Sequence, residues 1–242
     1  MDLGIAGRVA IVTGGGSGIG AATVERLRAA GCTVHDASRT TGVDVTDPDA
    51  PERVLALAGG TVDVLVNGAG TSFVRDLAEL SDGEWEAQWA LHVMGPMRLM
   101  RALAPAMAER GWGRIVTVSS SSGKRPSLTN AAYSVTKAAA LSLSRTFADA
   151  YAGTGVLVNA VTPGAVAGPL WEDEGGLADQ AAAAKGITRE EALDAQAAKI
   201  PLGRLAEPGE VADVIAFLCS ERASTVTGAA WSADGGSVPV II

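Results

Sequence analysis

The chain has 242 residues, 48 % of them hydrophobic, with 27 acidic against 19 basic side chains and a net charge of −8. That length suits one well-buried domain spanning 1–242, and an acidic balance without a clustered basic face argues against a nucleic-acid footprint. No apolar run approaches the ~18 residues of a membrane span, the start Met1-Asp2-Leu3-Gly4 lacks the pattern of a secretory signal, and Cys32 and Cys219 have no metal or disulfide spacing, so a cytoplasmic protein with reduced thiols and no metal is expected.

Strand-like apolar runs alternate with helical patterns from end to end. Residues 8–13 read as a first strand. The glycine-rich run Thr13-Gly14-Gly15-Gly16-Ser17-Gly18-Ile19-Gly20 leads from it into a helix over about 18–30. Glycines there allow close approach of backbone to a pyrophosphate, and the helix N-terminus offers free N–H groups and a favourable dipole. A second strand covers 32–37. Residues 43–45, Val-Asp-Val, follow too soon for a parallel crossover, which needs about a dozen residues; a stunted edge strand is expected there. Later strands lie at 62–67, 114–119, 156–162 and 229–232, with helices near 84–110, 130–152 and 208–220. Ser81 with Glu84, and Thr188 with Glu191, form capping boxes that mark helix starts. Near-continuous apolar strands alternating with helices predict an α/β fold, a doubly wound parallel sheet of about six or seven strands covered on both faces.

Tyr133 and Lys137 are four residues apart, so on a helix they share one face. A phenol is a poor base at neutral pH, and a nearby positive charge favours the phenolate. The pair therefore makes a general acid/base, with Ser120, thirteen residues upstream, placed to hold the oxygen that exchanges the proton.

These motifs, with Asn67-Gly68-Ala69-Gly70, Asn159 to Pro163-Gly164, and Asp234-Gly235-Gly236, resemble in order and spacing the short-chain dehydrogenase/reductase family across nearly the whole chain. The resemblance implies a single-domain Rossmann fold and a nicotinamide cofactor. Gly14, Gly16, Ser17, Gly18, Ile19 and Gly20 would hold it at one end, Asn67, Ala69 and Gly70 in the middle, and Pro163, Gly164 and Val166 at the other. Tyr133 would be the acid/base, Lys137 would lower its pKa and bind the nicotinamide ribose, and Ser120 would orient the substrate oxygen. Residues 165–200 would form a substrate lid, with Ser122 and Trp171 as substrate contacts and Glu172-Asp173-Glu174 as a solvated acidic run. Relatives assemble through the two long helices, so a homo-oligomer, tetramer or dimer, is expected, and Trp85 and Trp89 read as core or subunit-face residues.

Two positions depart from the family pattern. His92 stands where an Asn usually supports a water chain from the lysine, and is expected to act in that relay because histidine titrates near neutrality. Gly168 stands where a Thr usually contacts the nicotinamide carboxamide. Cofactor preference is read after the second strand, where NAD-specific relatives carry an acid. Here Ser38 and Arg39 occupy that place, and a guanidinium binds a 2′-phosphate bidentately; Thr40 and Thr41 offer further hydroxyl donors, and Asp44 with Val45 would flank the adenine. Asp36 shares the side of Ser38 by strand alternation and competes with that reading. NADP(H) is favoured over NAD(H). The expected activity is reversible secondary alcohol/ketone interconversion, as an NADP(H)-linked reductase of 3-oxoacyl-like or small apolar ketones. The alternatives are an NAD-dependent alcohol or polyol dehydrogenase, an epimerase or dehydratase of a longer related group, and a cofactor-binding regulatory or assembly protein with little turnover.

Overall fold

The computed structural model describes residues 2–239; Met1 and residues 240–242, which the expected 1–242 domain takes in, lie outside the described residues. Six parallel strands form one sheet in the order β2-β1-β3-β4-β5-β6. They are β1 (Val9–Thr13), β2 (Thr33–Ala37), β3 (Val64–Asn67), β4 (Gly113–Val118), β5 (Val156–Pro163) and β6 (Ala230–Ala233).

Alternation along these strands builds two cores. Ile11, Leu65, Ile115 and Val158 pair in register across four strands, giving an apolar row on one face. That row packs with Leu99, Met100, Leu103 and Met107 of α4 (Gly95–Glu109), Val54 of α2 (Ala50–Leu57) and Ala148 of α5 (Ala131–Ala150). Val12, Val66 and Val116 form the neighbouring row and face the other way, onto Val24 and Leu27 of α1 (Gly18–Ala29) and Val211 and Ile215 of α9 (Pro208–Leu218). Each such fully buried aliphatic side chain contributes about 1.5–3 kcal/mol, so the sheet is held from both sides.

Two sequence expectations change. The sheet has six strands because residues 43–45 are not a strand. Val43 and Val45 are buried, but the backbone turns at Gly42 (φ 82°) and Val43 N–H donates to Ser38 O at 2.9 Å. Val45 O then lies against Gly95 of α4, so β2 is the sheet edge. The expected helix 84–110 divides into α3 (Asp82–Trp89), a π-helical turn (Ala90–Met94) and α4. Both capping boxes form: Ser81 N–H donates to Glu84 Oε2 at 2.9 Å, and Thr188 N–H to Glu191 Oε2 at 2.8 Å. The second opens α8 (Arg189–Ala197), which follows α6 (Pro169–Glu172) and α7 (Leu177–Lys185) in the segment between β5 and α9. Among the described residues no helix is long and apolar enough to cross a membrane.

Candidate active site

The chain reverses direction across the sheet at β1, with β2 on one side and β3 on the other. Ligands of open α/β sheets bind at such a switch, outside the carboxyl ends of the strands. A cavity of about 770 Å³ opens there. It runs from Ser38, Arg39, Asp44 and Val45 past the glycine loop to Ser120, Tyr133, Lys137 and Trp171.

The loop between β1 and α1 is built to bring backbone close. A Cβ at Gly20 would collide with Gly14 O, so the first turn of α1 packs on the loop only without a side chain. Thr13 Oγ1 accepts from Gly68 and Ala69 N–H at 3.0 and 3.1 Å, fastening the loop after β3 to the loop after β1. Gly14, Gly16, Ser17, Gly18, Ile19, Ala69, Gly70, Pro163, Gly164 and Val166 all line the cavity. An elongated cavity with a side-chain-free phosphate cradle at a helix N-terminus fits a dinucleotide.

The reacting end lies where β4 meets α5. Ser119 Oγ donates to Lys137 O at 2.7 Å, and Lys137 Nζ donates to Val118 O at 2.8 Å, locking helix to strand. Ser120 Oγ accepts from Ser122 N–H at 3.1 Å, which leaves its hydroxyl proton and a lone pair for the cavity. Burial of the Tyr133 hydroxyl pushes the phenol above its usual value, and the neighbouring Ser120 hydroxyl pulls it part of the way back. Burial lowers the Lys137 ammonium to about 8, and its nitrogen stands 5.5 Å from the Tyr133 ring centroid. Burial thus outweighs the one lowering influence, that of Ser120, and the phenol stands above its usual value rather than below it as expected from Lys137.

His92 lies in the π-helical turn, buried behind Gly70, with its ring edge-on to Tyr133 at 5.3 Å. Thr71 N–H donates to its Nε2 at 3.3 Å. A backbone N–H cannot accept, so the ring proton belongs on Nδ1, which faces Thr136 Oγ1 at 3.0 Å. Thr136 gives its own proton to Tyr133 O at 2.9 Å. Burial, and then the Lys137 charge, depress the imidazole to about 2. Both nitrogens are committed and the ring stays neutral, so the geometry does not support the expected proton relay through His92.

Other expected residues sort clearly. Asn67 does not line the cavity; it is buried and its Nδ2 donates to Thr117 Oγ1 at 3.4 Å. Ser122 serves Ser120 through its backbone, and its side chain does not line the cavity. Asn159 ties β5 to the chain entering β6, through Val226 O at 2.8 Å and Ala229 N–H at 3.0 Å. Gly168 has φ 116° and caps α6, its N–H donating to Glu172 Oε2; a Thr would be strained there. Gln88 lines the cavity without having been singled out in sequence, since it belongs to no motif. Gln88 is buried with Oε1 unpartnered, a state that only tertiary packing reveals.

Residues 35–237 match a family model described as enoyl-(acyl carrier protein) reductase. The chain is 35 % identical over 253 residues to L-xylulose reductase of Bos taurus, covering 98 % of each. It is 32 % identical over 248 residues to acetoacetyl-CoA reductase of Shinella zoogloeoides, covering 95 % of this chain and 98 % of that one. Its fold superposes on L-sorbose reductase of Gluconobacter frateurii, complexed with NADPH and L-sorbose, with a TM-score of 0.89, 32 % identity and full coverage of both chains.

Proposed function

The chain belongs to the short-chain dehydrogenase/reductase family and is an NAD(P)-dependent oxidoreductase interconverting CH–OH and C=O groups; from that premise we propose that it works as a reductase of small neutral ketones, NADP(H) favoured, with Tyr133 as proton donor. The observation that carries the reading is the convergence of Ser120, Tyr133 and Lys137 on one wall of the cavity, with Lys137 Nζ 5.5 Å from the Tyr133 ring centroid. A neutral phenol is poised to give a proton to a carbonyl oxygen that gains charge. Ser120 Oγ, beside the phenol, turns its hydroxyl proton to the same carbonyl oxygen and polarises it. Lys137, fixed by Val118 O, adds positive charge behind the phenol and a donor toward a ribose. His92 and Thr136 hold the backbone of Tyr133 and the loop at Thr71 in register. A bound nicotinamide supplies or accepts the hydride; the chain's residues bind, orient and manage the proton.

NADP(H) is supported by Arg39 in the cavity wall and by the NADPH found in L-sorbose reductase. Leu170 and Trp171 at the cavity wall favour an uncharged substrate, a 3-oxoacyl-like or small apolar ketone. A ketose is the second reading, favoured by the two relatives named for L-xylulose and L-sorbose. Residues 165–200, tied to the rest through Val74 N–H and Gln180 Oε1 at 2.7 Å, act as the substrate lid of a single domain. Cys32 and Cys219 are free and buried, which suits a reducing cytoplasm.

The test is a panel of an acetoacetyl thioester, an apolar ketone and a ketose, each with NADPH and NADH in parallel. Clear preference for NADH would defeat the Arg39 argument. Replacing Tyr133 with Phe should lower kcat by about 10²–10⁴-fold while leaving the dinucleotide Kd within about threefold. Turnover surviving that change intact would overturn the assignment, and an absence of turnover across the wild-type panel would favour a regulatory protein.

A further inference from the structure

Asp36 of β2 lies behind Ser38, which lines the cavity next to Arg39 and Thr40, and the proposed chemistry makes no use of it. Its Oδ2 accepts from Ser38 Oγ at 2.8 Å, and Ser38 Oγ lies 2.8 Å from Thr40 Oγ1. A carboxylate only accepts, and each hydroxyl has one proton to give. Ser38 therefore gives its proton to Asp36, and Thr40 gives its proton to Ser38. The Thr41 hydroxyl is committed as well, to the carbonyls of Asp36 and Ser38, each at 2.9 Å. All three protons point inward and lone pairs are left for the cavity. The other carboxylate oxygen, Oδ1, is buried without a partner, 2.7 Å from where a Cβ on Gly15 would stand. It lies directly under the glycine loop.

A ribose 2′-hydroxyl can donate to such acceptors. A 2′-phosphate cannot: it carries about −1.5 to −2 charges and only accepts. Expecting Thr40 and Thr41 to donate to a phosphate therefore fails on proton count. We propose that Asp36 is a specificity-determining residue for the dinucleotide, turning Ser38 and Thr40 into acceptors so that a 2′-hydroxyl cofactor is admitted alongside a 2′-phosphate one. Arg39 then supplies the side-chain attraction for phosphate, working against the carboxylate two residues before Ser38. The inference rests on the reading of this cavity as a dinucleotide site.

The test is titration calorimetry with NAD⁺ and NADP⁺ on the wild type, Asp36→Asn, Thr40→Val and the double variant. The wild type should bind both dinucleotides with Kd values within about tenfold of each other. Asp36→Asn keeps the shape, removes the charge and should tighten NADP⁺ about tenfold relative to NAD⁺. Thr40→Val should change NADP⁺ affinity less than twofold while Asp36 is present. Combined with Asp36→Asn it should remove most of the gain, because the Asn amide, unlike a carboxylate, turns its NH2 to Ser38 Oγ and so leaves the Ser38 and Thr40 protons free to face the phosphate. An unchanged NAD⁺/NADP⁺ ratio in Asp36→Asn, with both ligands bound, overturns this inference alone. So does a Thr40→Val loss of equal size with and without the Asp36 carboxylate. A wild type that binds neither dinucleotide overturns the premise as well. Should Asp36→Asn fail to fold by circular dichroism, Ser38→Ala severs the same chain at its middle and frees the Thr40 proton. NADP⁺ should then tighten severalfold, and weakened NADP⁺ would overturn the proposal.

Discussion

His92 shows how far a side chain's chemistry can be removed from its free-solution behaviour. In solution histidine titrates near neutrality; here burial and the Lys137 charge hold it to about 2, and Thr71 and Thr136 take both nitrogens. This has a consequence for stability. Between pH 6.5 and about 2 the unfolded chain protonates this histidine and the folded one does not, so stability falls as pH falls through that window. From pH 7 to pH 5 the wild type should lose about 2 kcal/mol more than His92→Asn, read from urea midpoints at each pH. Equal losses in both proteins would show that the ring is not held neutral. The activity profile of the wild type should show no limb belonging to His92. What His92 does in the fold depends on a donor from 71 and an acceptor from 136, distant in the chain.

Among the elements, turns and caps were legible and irregular connections were not. Ser81 and Thr188 cap as their local sequences require, because an N-cap is a contact between neighbours. The π-helical turn at Ala90–Met94 leaves no such local mark. Neither does the path of residues 43–45, where Val43 and Val45 are apolar enough for a strand but are buried beneath Gly95 instead. Gly168 is the departure with a functional edge: its φ of 116° sets the entry to α6, and Trp171 within α6 lines the cavity. Gly168→Thr, which would restore the usual residue of the family, should destabilise the fold by at least about 1 kcal/mol in denaturant titrations. It should bring no gain in dinucleotide affinity by calorimetry. A tighter-binding, equally stable variant would mean that the backbone there is free to relax.

For the whole molecule, two of the exposed apolar residues lie on the packed helices α3 and α5, while Leu77, Leu128 and Leu202 are exposed elsewhere. Trp89 at the end of α3 is 43 % exposed and Val135 on α5 is 47 % exposed. Exposed apolar side chains on neighbouring helices are of the kind a partner surface covers, so this face is where the homo-oligomer expected from sequence is tested. Light scattering should give a mass two or four times the 24.4 kDa chain, and Trp89→Asp should shift it toward the monomer with the helical signal retained. A monomeric wild type would remove this reading without touching the site.

The alternating α/β order, the glycine loop after β1 and the Ser120/Tyr133/Lys137 trio were all legible in the sequence. Each of these is written in near neighbours: period-two and period-3.6 apolar patterns, a turn that needs glycine, and two residues one helical turn apart. The protonation of Tyr133, the neutrality of His92, the withdrawal of Asn67 from the cavity and the donor polarity at Ser38 came only with the folded chain. Those properties depend on desolvation and on which distant group supplies or takes a proton, and neither is set until the sheet has brought its strand ends together.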